Sequence, residues 1–347
     1  MNVFEEAEYV LINWGQYDKL FLPVIEGKLL RSGLAVYKST SIKGRIFYKL
    51  LESNIWCRVL DNFSFFKKEE PKRFYGFRWN EWINHALQGI GIERGWAAFS
   101  FPQNTDKRFV SLLINEEGET KGFAKVALDE ESKYLFKNEA NALKYLSTNK
   151  PVEFSIPKLV QEGEFDEGYY LIQTVIPPQT QYFSYVKDMR WMKIINEIVK
   201  INMAKKNLSH FSWWEKLRTT HKPVRNLLPF LENKFRENID ICNVHGDFGS
   251  GNIRYDTETL WVYDWEEFNQ EAPIMTDYLT FILDCFMKSR FVTNREIAKR
   301  TYDYLQENVE YADSYNLAIA LAYMSTRRSW TIGEGLCNAL CKELLGR

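Results

Sequence analysis

The sequence predicts a mixed α+β chain, a small antiparallel sheet followed by a larger, mainly helical part. Three observations carry that expectation. Residues 96–128 hold three short apolar and aromatic runs separated by turn residues, the pattern of a strand meander. After residue 179 apolar residues recur at helical spacing, as at Met192, Ile194, Ile195, Ile198 and Ile201. Between helical stretches lies Asn243 to Glu267, NVHGDFGSGNIRYDTETLWVYDWEE, which places polar residues in a loop–strand–loop context.

Composition bounds the class. The chain has 347 residues, 45% hydrophobic and 26% charged, an ordinary globular balance with ample length for real cores. A net charge of −1 makes no electrostatic case for nucleic acid. Five Cys, odd in number and scattered, with Cys337 and Cys341 one helical turn apart, point to a reduced, cytoplasmic setting. The acidic N-terminus has neither the basic start nor the apolar core of a signal peptide. No stretch approaches the ~18 uninterrupted apolar residues of a spanning helix.

Residues 1–90 read as an N-terminal extension. Ser39 to Leu60 has apolar residues at helical spacing, with Lys43, Arg45, Lys49 and Arg58 on its polar side. Such a basic amphipathic helix can lie on an anionic membrane surface, but more often packs on its own domain with the basic face solvated. Phe66 to Arg73 reads as an exposed turn.

Residues 91–176 form the sheet-based part. Its strands are expected at Trp96–Phe101, Arg108–Asn115 and Gly122–Leu128, and, after Ser155–Val160 and an acidic turn, at Tyr169–Ile176. Lys125 is a lone cation among apolar neighbours, which costs free energy unless it is paired. Glu130 to Leu146 follows with helical spacing and contains Glu139. The alternative for Lys125 is an edge-strand side chain reaching solvent. Residues 177–347 form the helical part.

The central stretch holds Asp247, Asn252 five residues on, and Asp264 just past a short strand, Leu260–Tyr263, with Ile253–Tyr255 as its antiparallel mate. Phosphoryl transfer needs a carboxylate to orient and deprotonate an attacking hydroxyl, and oxygen ligands for magnesium. An Asp and an Asn on one tight loop, with a second Asp past the next strand, can converge on one point.

His245-Gly-Asp247, four residues, Asn252, a strand and Asp264 together resemble the aminoglycoside phosphotransferase and choline kinase-like superfamily, which has the protein-kinase-like fold. That resemblance implies a bilobal architecture: a small antiparallel-sheet N-lobe, a mainly helical C-lobe and, here, a helical N-terminal extension. It implies Asp247 as catalytic base and Asn252 and Asp264 as magnesium ligands. Lys125 would hold ATP phosphates with Glu139 as its partner, and the backbone at Gln173, Thr174 and Val175 would bind the adenine. Gly246 and Gly249 stand where a protein kinase usually has Arg and Lys, which points to the small-molecule branch. Pro273 and Asp277 match the family's Pro-then-Asp helix start; Asp277 either caps that helix or braces the loop, the cap being the simpler account.

The implied activity is ATP- and magnesium-dependent transfer of a phosphoryl group to the hydroxyl of a small molecule, a sugar, amino sugar or amino alcohol. The competing reading is a catalytically silent kinase-like nucleotide-binding or scaffold protein. It gains from the turn Pro102–Lys107, which lacks the Gly that lets a backbone approach phosphates closely. It loses from the intact Asp, Asn, Asp and Lys set, which fold stability does not require.

Overall fold

The computed structural model describes residues 8–13, 19–25, 28–29, 31–36, 67–68, 78–101, 107–177, 179–183, 186–219, 223–234, 238–288, 292–327 and 332–346. The expected helix over 39–60, with its basic face, lies outside these residues. So do most of the turn 66–73 and all but Lys107 of the turn 102–107. The chain divides into two units, residues 1–144 with 157–179, and residues 145–156 with 180–347.

The first unit is built on an antiparallel sheet. Its strands are β1 (Glu8–Asn13), β2 (Lys19–Ile25), β3 (Lys28–Leu29), β4 (Lys67–Lys68), β5 (Gly95–Phe101), β6 (Arg108–Asn115), β7 (Thr120–Ala127), β8 (Leu159–Phe165) and β9 (Gly168–Gln173). They lie in the order β4-β1-β2-β5-β6-β7-β9-β8, with β3 on β2. The meander β5-β6-β7 is where the apolar runs and the turns between them predict it. The helical reading of the N-terminal extension holds for α1 (Trp79–Gly89) and a 3-10 turn at Arg31–Val36. It does not hold for β1 and β2, which extend the sheet beyond β5. Their runs, EYVLIN and KLFLPVI, are short and not strictly alternating, so periodicity alone does not mark them.

Period-two alternation gives the sheet two distinct faces. On one, Phe99, Phe101, Phe109, Leu113, Ala124, Val126, Tyr170 and Ile172 meet the apolar stripe of α1. Trp79 packs against the Phe109 ring at 4.8 Å and Trp82 against Tyr170 at 4.9 Å. Trp82 is fully buried, so truncating it to Ala would cost about 3–5 kcal/mol. The other face carries Lys125 and meets α2 (Glu130–Asn149) through Leu135 and Phe136.

The second unit holds β10 (Gln181–Tyr182), β11 (Ala204–Asn207), β12 (Asn238–Val244), β13 (Ile253–Tyr255), β14 (Leu260–Val262) and β15 (Asn269–Pro273). These form two three-stranded sheets, β10-β13-β14 and β11-β12-β15. Around them lie α3 (Arg190–Ile201), α4 (Ser212–Thr219), α5 (Leu228–Asn233), α6 (Thr276–Met287), α7 (Asn294–Asn308), α8 (Ser314–Ser325) and α9 (Glu334–Leu345). The apolar stripe of α3 buries Trp191, Ile194, Ile195, Ile198 and Val199. α8 is apolar nearly all round and correspondingly buried. α7 starts with a full capping box, Thr293 with Glu296. No helix among the described residues is long and apolar enough to cross a membrane.

Candidate active site

The predicted hairpin forms as expected. β13 pairs antiparallel with β14 in the register Ile253↔Val262 and Tyr255↔Leu260. Asp256 makes the turn by accepting from the N–H groups of Glu258 at 3.0 Å and Thr259 at 2.8 Å. The loop before the hairpin starts where β12 ends, in the middle of its three-stranded sheet, so the loop hangs from a paired strand.

Asp277 fastens that loop. It sits in the first turn of α6 and is 1% exposed. Its carboxylate accepts from the His245 N–H at 2.6 Å and the Gly246 N–H at 3.0 Å. The helix has Met275 at its cap position, with no side-chain cap bond. Asp277 is therefore the brace and not the cap, against the simpler expectation. Burial pushes its carboxyl up to about 6, opposed by the two backbone hydrogen bonds and by the Arg327 charge.

Gly246 has φ +87, and a Cβ there would lie 2.2 Å from the Glu267 carbonyl oxygen. No side chain fits, so a protein-kinase Arg is excluded at this position. The buried His245 places Nε2 3.0 Å from the Tyr263 carbonyl oxygen and accepts at Nδ1 from the Asp247 N–H at 3.3 Å. These partners assign the neutral imidazole with its proton on Nε2.

Asp247 and Asn252 are joined directly. The Asn252 amide nitrogen donates to the Asp247 carbonyl at 2.8 Å and to its Oδ2 at 3.1 Å. Tyr263 donates its N–H to the Asn252 carbonyl at 3.2 Å, tying the end of the hairpin back to the loop. Asp264 follows in the left-handed region, φ 69 and ψ 54, an uncommon conformation for Asp that marks a constrained position. Burial first, and then the charge of Asp264, push the Asp247 carboxyl up to about 7. The Asn252 hydrogen bond lowers it, and Glu266 and Glu267 add to the rise.

Other contacts around the loop were invisible in the sequence. Arg327, in the residues just after α8, donates to the Glu267 carbonyl at 2.5 Å and pairs with the Glu267 carboxylate. Its guanidinium lies 5.2 Å over the Tyr323 ring. Asp284 accepts from the Ser250 N–H at 2.8 Å, and Lys288 bonds both Ser250 and Asp284 at 2.7 Å. The Ser250–Asp284 and Arg327–Glu267 partners lie 34 and 60 residues apart in sequence and leave no local signal.

In the first unit Lys125 lies on β7, between β6 and β9, where it pairs with Val110 and Leu171. It is an interior strand, so the solvent-reaching alternative fails. Lys125 Nζ meets Glu139 Oε2 at 2.6 Å, with side-chain exposures of 8% and 0%. The ammonium also lies 5.5 Å from the Phe136 ring centre. Gln173 ends β9, 4% exposed, and its Oε1 has no hydrogen-bond partner among the described residues. Thr174 donates its N–H to the Lys158 carbonyl and accepts from the Lys158 N–H at Oγ1, both at 2.9 Å. Val175 is half-buried.

The donor set in the second unit suits a hard, oxygen-seeking dication. Asp264 is a carboxylate, and Asn252 keeps its amide oxygen after spending the nitrogen on Asp247. Among the described residues no group of three or more His, Cys, Asp or Glu could hold a metal ion. An Asn and an Asp completed by phosphate oxygens is the sparser set magnesium ordinarily takes.

No family model and no curated protein matches the chain. Solved structures do. A GDP complex of aminoglycoside 2'-phosphotransferase-IIIa is 13% identical with a TM-score of 0.48, covering 77% of this chain and 96% of that one. A spectinomycin phosphotransferase complex with ADP and spectinomycin is 12% identical with a TM-score of 0.38, covering 76% and 98%. The bifunctional kinase-methyltransferase WbdD is 16% identical with a TM-score of 0.32, covering 69% of this chain and 48% of that one. The chain is similar in structure to these proteins, and its functional reading stands on its own residues.

Proposed function

We propose that the chain is an ATP- and magnesium-dependent phosphotransferase whose acceptor is the hydroxyl of a small molecule, a sugar, amino sugar or amino alcohol. The observation that carries this reading is the Asp247–Asn252–Asp264 arrangement on a loop braced by Asp277. The Asp247 carboxyl is raised by burial and the Asp264 charge, and magnesium beside it would favour the ionised, proton-accepting form. Asn252 fixes its orientation. Asp247 would hold the acceptor hydroxyl in line for attack and take up its proton as the new oxygen–phosphorus bond forms and the bond from the γ-phosphorus to the departing ADP oxygen breaks.

Asn252 and Asp264 would hold magnesium, which supplies charge neutralisation on the phosphates. Lys125, kept in place by Glu139, would position the phosphates, and residues 173–175 would receive the base. Positioning and electrostatics supply nearly all of the catalysis in this reaction class, so a pre-ordered loop is the useful part.

The test is calorimetric binding of ATP with and without magnesium, followed by a screen of ATP consumption against amines, sugars and amino sugars. Magnesium-dependent binding with an acceptor-dependent rate supports the enzyme. Binding without transfer to any acceptor favours the silent scaffold. Absence of both rejects the two together.

A further inference from the structure

We propose that the 3-10 turn Arg31–Val36 forms one wall of the subsite for the nucleotide base, beside Val110, Phe123 and Val175. The inference rests on the phosphotransferase reading and concerns only the first unit. Strand register fixes which residues share the Lys125 face. Lys125 pairs with Val110 and Leu171, while Phe123 pairs with Leu112 and Gln173. The face therefore carries the cation and, two residues along the strand, the Phe123–Gln173 pair. Two residues span roughly 7 Å, which leaves room for a sugar between a phosphate at Lys125 and a base at Phe123.

Two apolar patches flank Lys125 on this face. One, with Ala127, Tyr169 and Leu171, is closed by α2. The other, with Leu20, Leu22, Ala98, Leu112 and Ile114, is closed by the turn through Leu34 and Val36, which are 1% and 7% exposed. Gly33 lets the turn lie flat on the strands, since a Cβ there would sit 3.0 Å from the Ala98 Cβ and 3.2 Å from the Leu22 side chain. At the rim of this second patch Val110, Phe123, Val175 and Ala35 stay half-buried. That rim is an apolar shelf whose far side is supplied by the N-terminal turn.

A second observation points to a missing ligand on the same face. Gln173 is 4% exposed, and its Oε1 has no partner among the described residues. Buried acceptors are normally bonded, and an unmade bond is costly. The exocyclic amine of adenine supplies the donor. An apolar shelf with one convergent polar group is the usual makeup of a small-molecule site.

The test uses the full chain with Val36→Ser and, as the milder change, Val36→Ala. Calorimetry reads ATP and inorganic tripolyphosphate, each with magnesium, and a thermal melt checks folding. The expected result is ATP binding about tenfold weaker, from the lost apolar contact, with tripolyphosphate binding unchanged. Val36→Ile should keep ATP affinity. Unchanged or tighter ATP binding in the folded variants overturns the proposal, the latter meaning that the turn blocks the base instead of walling it. Equal weakening of both probes overturns it too, because the effect is then not on the base. A wild type that binds neither probe removes the phosphotransferase reading itself.

Discussion

The two units treat buried charge in opposite ways. In the sheet unit, Lys125 and Glu139 neutralise each other at 2.6 Å with almost no solvent contact. In the helical unit, Asp247 stands beside an amide with other acids nearby, and burial and then the charge of Asp264 push its carboxyl up. A buried pair lacking either member is strongly destabilised, so the first arrangement is closed within the protein. The second is open to titration: burial and a neighbouring carboxylate push the Asp247 carboxyl up toward neutral pH. The lesson is that a matched pair fixes its own ionisation, while a carboxyl set beside another carboxylate responds to any cation that joins them.

The sharpest break of this contrast is Asp247→Asn. The change keeps shape and removes proton acceptance, so turnover should fall by about 10²–10⁴ with ATP affinity nearly intact. Turnover within a few-fold of wild type, in folded protein, would remove Asp247 as the base. Next in size is Glu139→Leu, which leaves the Lys125 ammonium without its carboxylate at an expected cost of about 3–5 kcal/mol. The double change Lys125→Met with Glu139→Leu should recover most of that stability in denaturant melts while phosphate transfer stays lost. Equal stability of the single and double variants would show that the pair is not closed.

A smaller and pH-dependent effect probes the open side. The folded Asp247 carboxyl, raised from 3.8 to about 7, holds its proton longer than the unfolded chain does. Its contribution to stability is complete below 3.8 and is lost as pH rises through about 7. Asp277, raised to about 6, acts in the same direction. In chelator, wild-type melting temperature should therefore fall over this window more steeply than that of Asp247→Asn, which keeps only the Asp277 part. Magnesium should flatten the wild-type slope by favouring the ionised carboxyl. Parallel slopes for the two proteins would contradict the assignment. The smallest effect is expected from Lys206→Ala. It removes an ion pair with Glu271 whose side chains are 40% and 50% exposed, worth about 0.2–1 kcal/mol in a melt.

The legible parts of the molecule were those written locally. Apolar runs bounded by turns mark β5 to β7, and Lys125 in an otherwise apolar strand asks for a partner that the next helix holds 14 residues on. The hairpin and its polar residues lie within one short stretch. What was not legible depends on contacts across the chain. Asp277 reads as a cap because helix starts often carry Asp, and its bonds to His245 and Gly246 span 31 and 32 residues. Arg327 reaches Glu267 across 60. β1 and β2 are strands because β5 offers an edge to pair with, which no property of their own residues announces.

Asp264 carries one more consequence. An L-residue held left-handed costs roughly 1 kcal/mol, and glycine adopts the same angles freely. Asp264 also sets its charge against Asp247. Both effects make Asp264→Gly an expected gain in melting temperature and a loss of magnesium-dependent nucleotide binding. A campaign that screened this chain for heat tolerance alone would be drawn to that position and would discard the residue on which the proposed chemistry depends. A Gly variant that melts lower than the parent would show that the loop's geometry holds Asp264 more firmly than its backbone angles suggest.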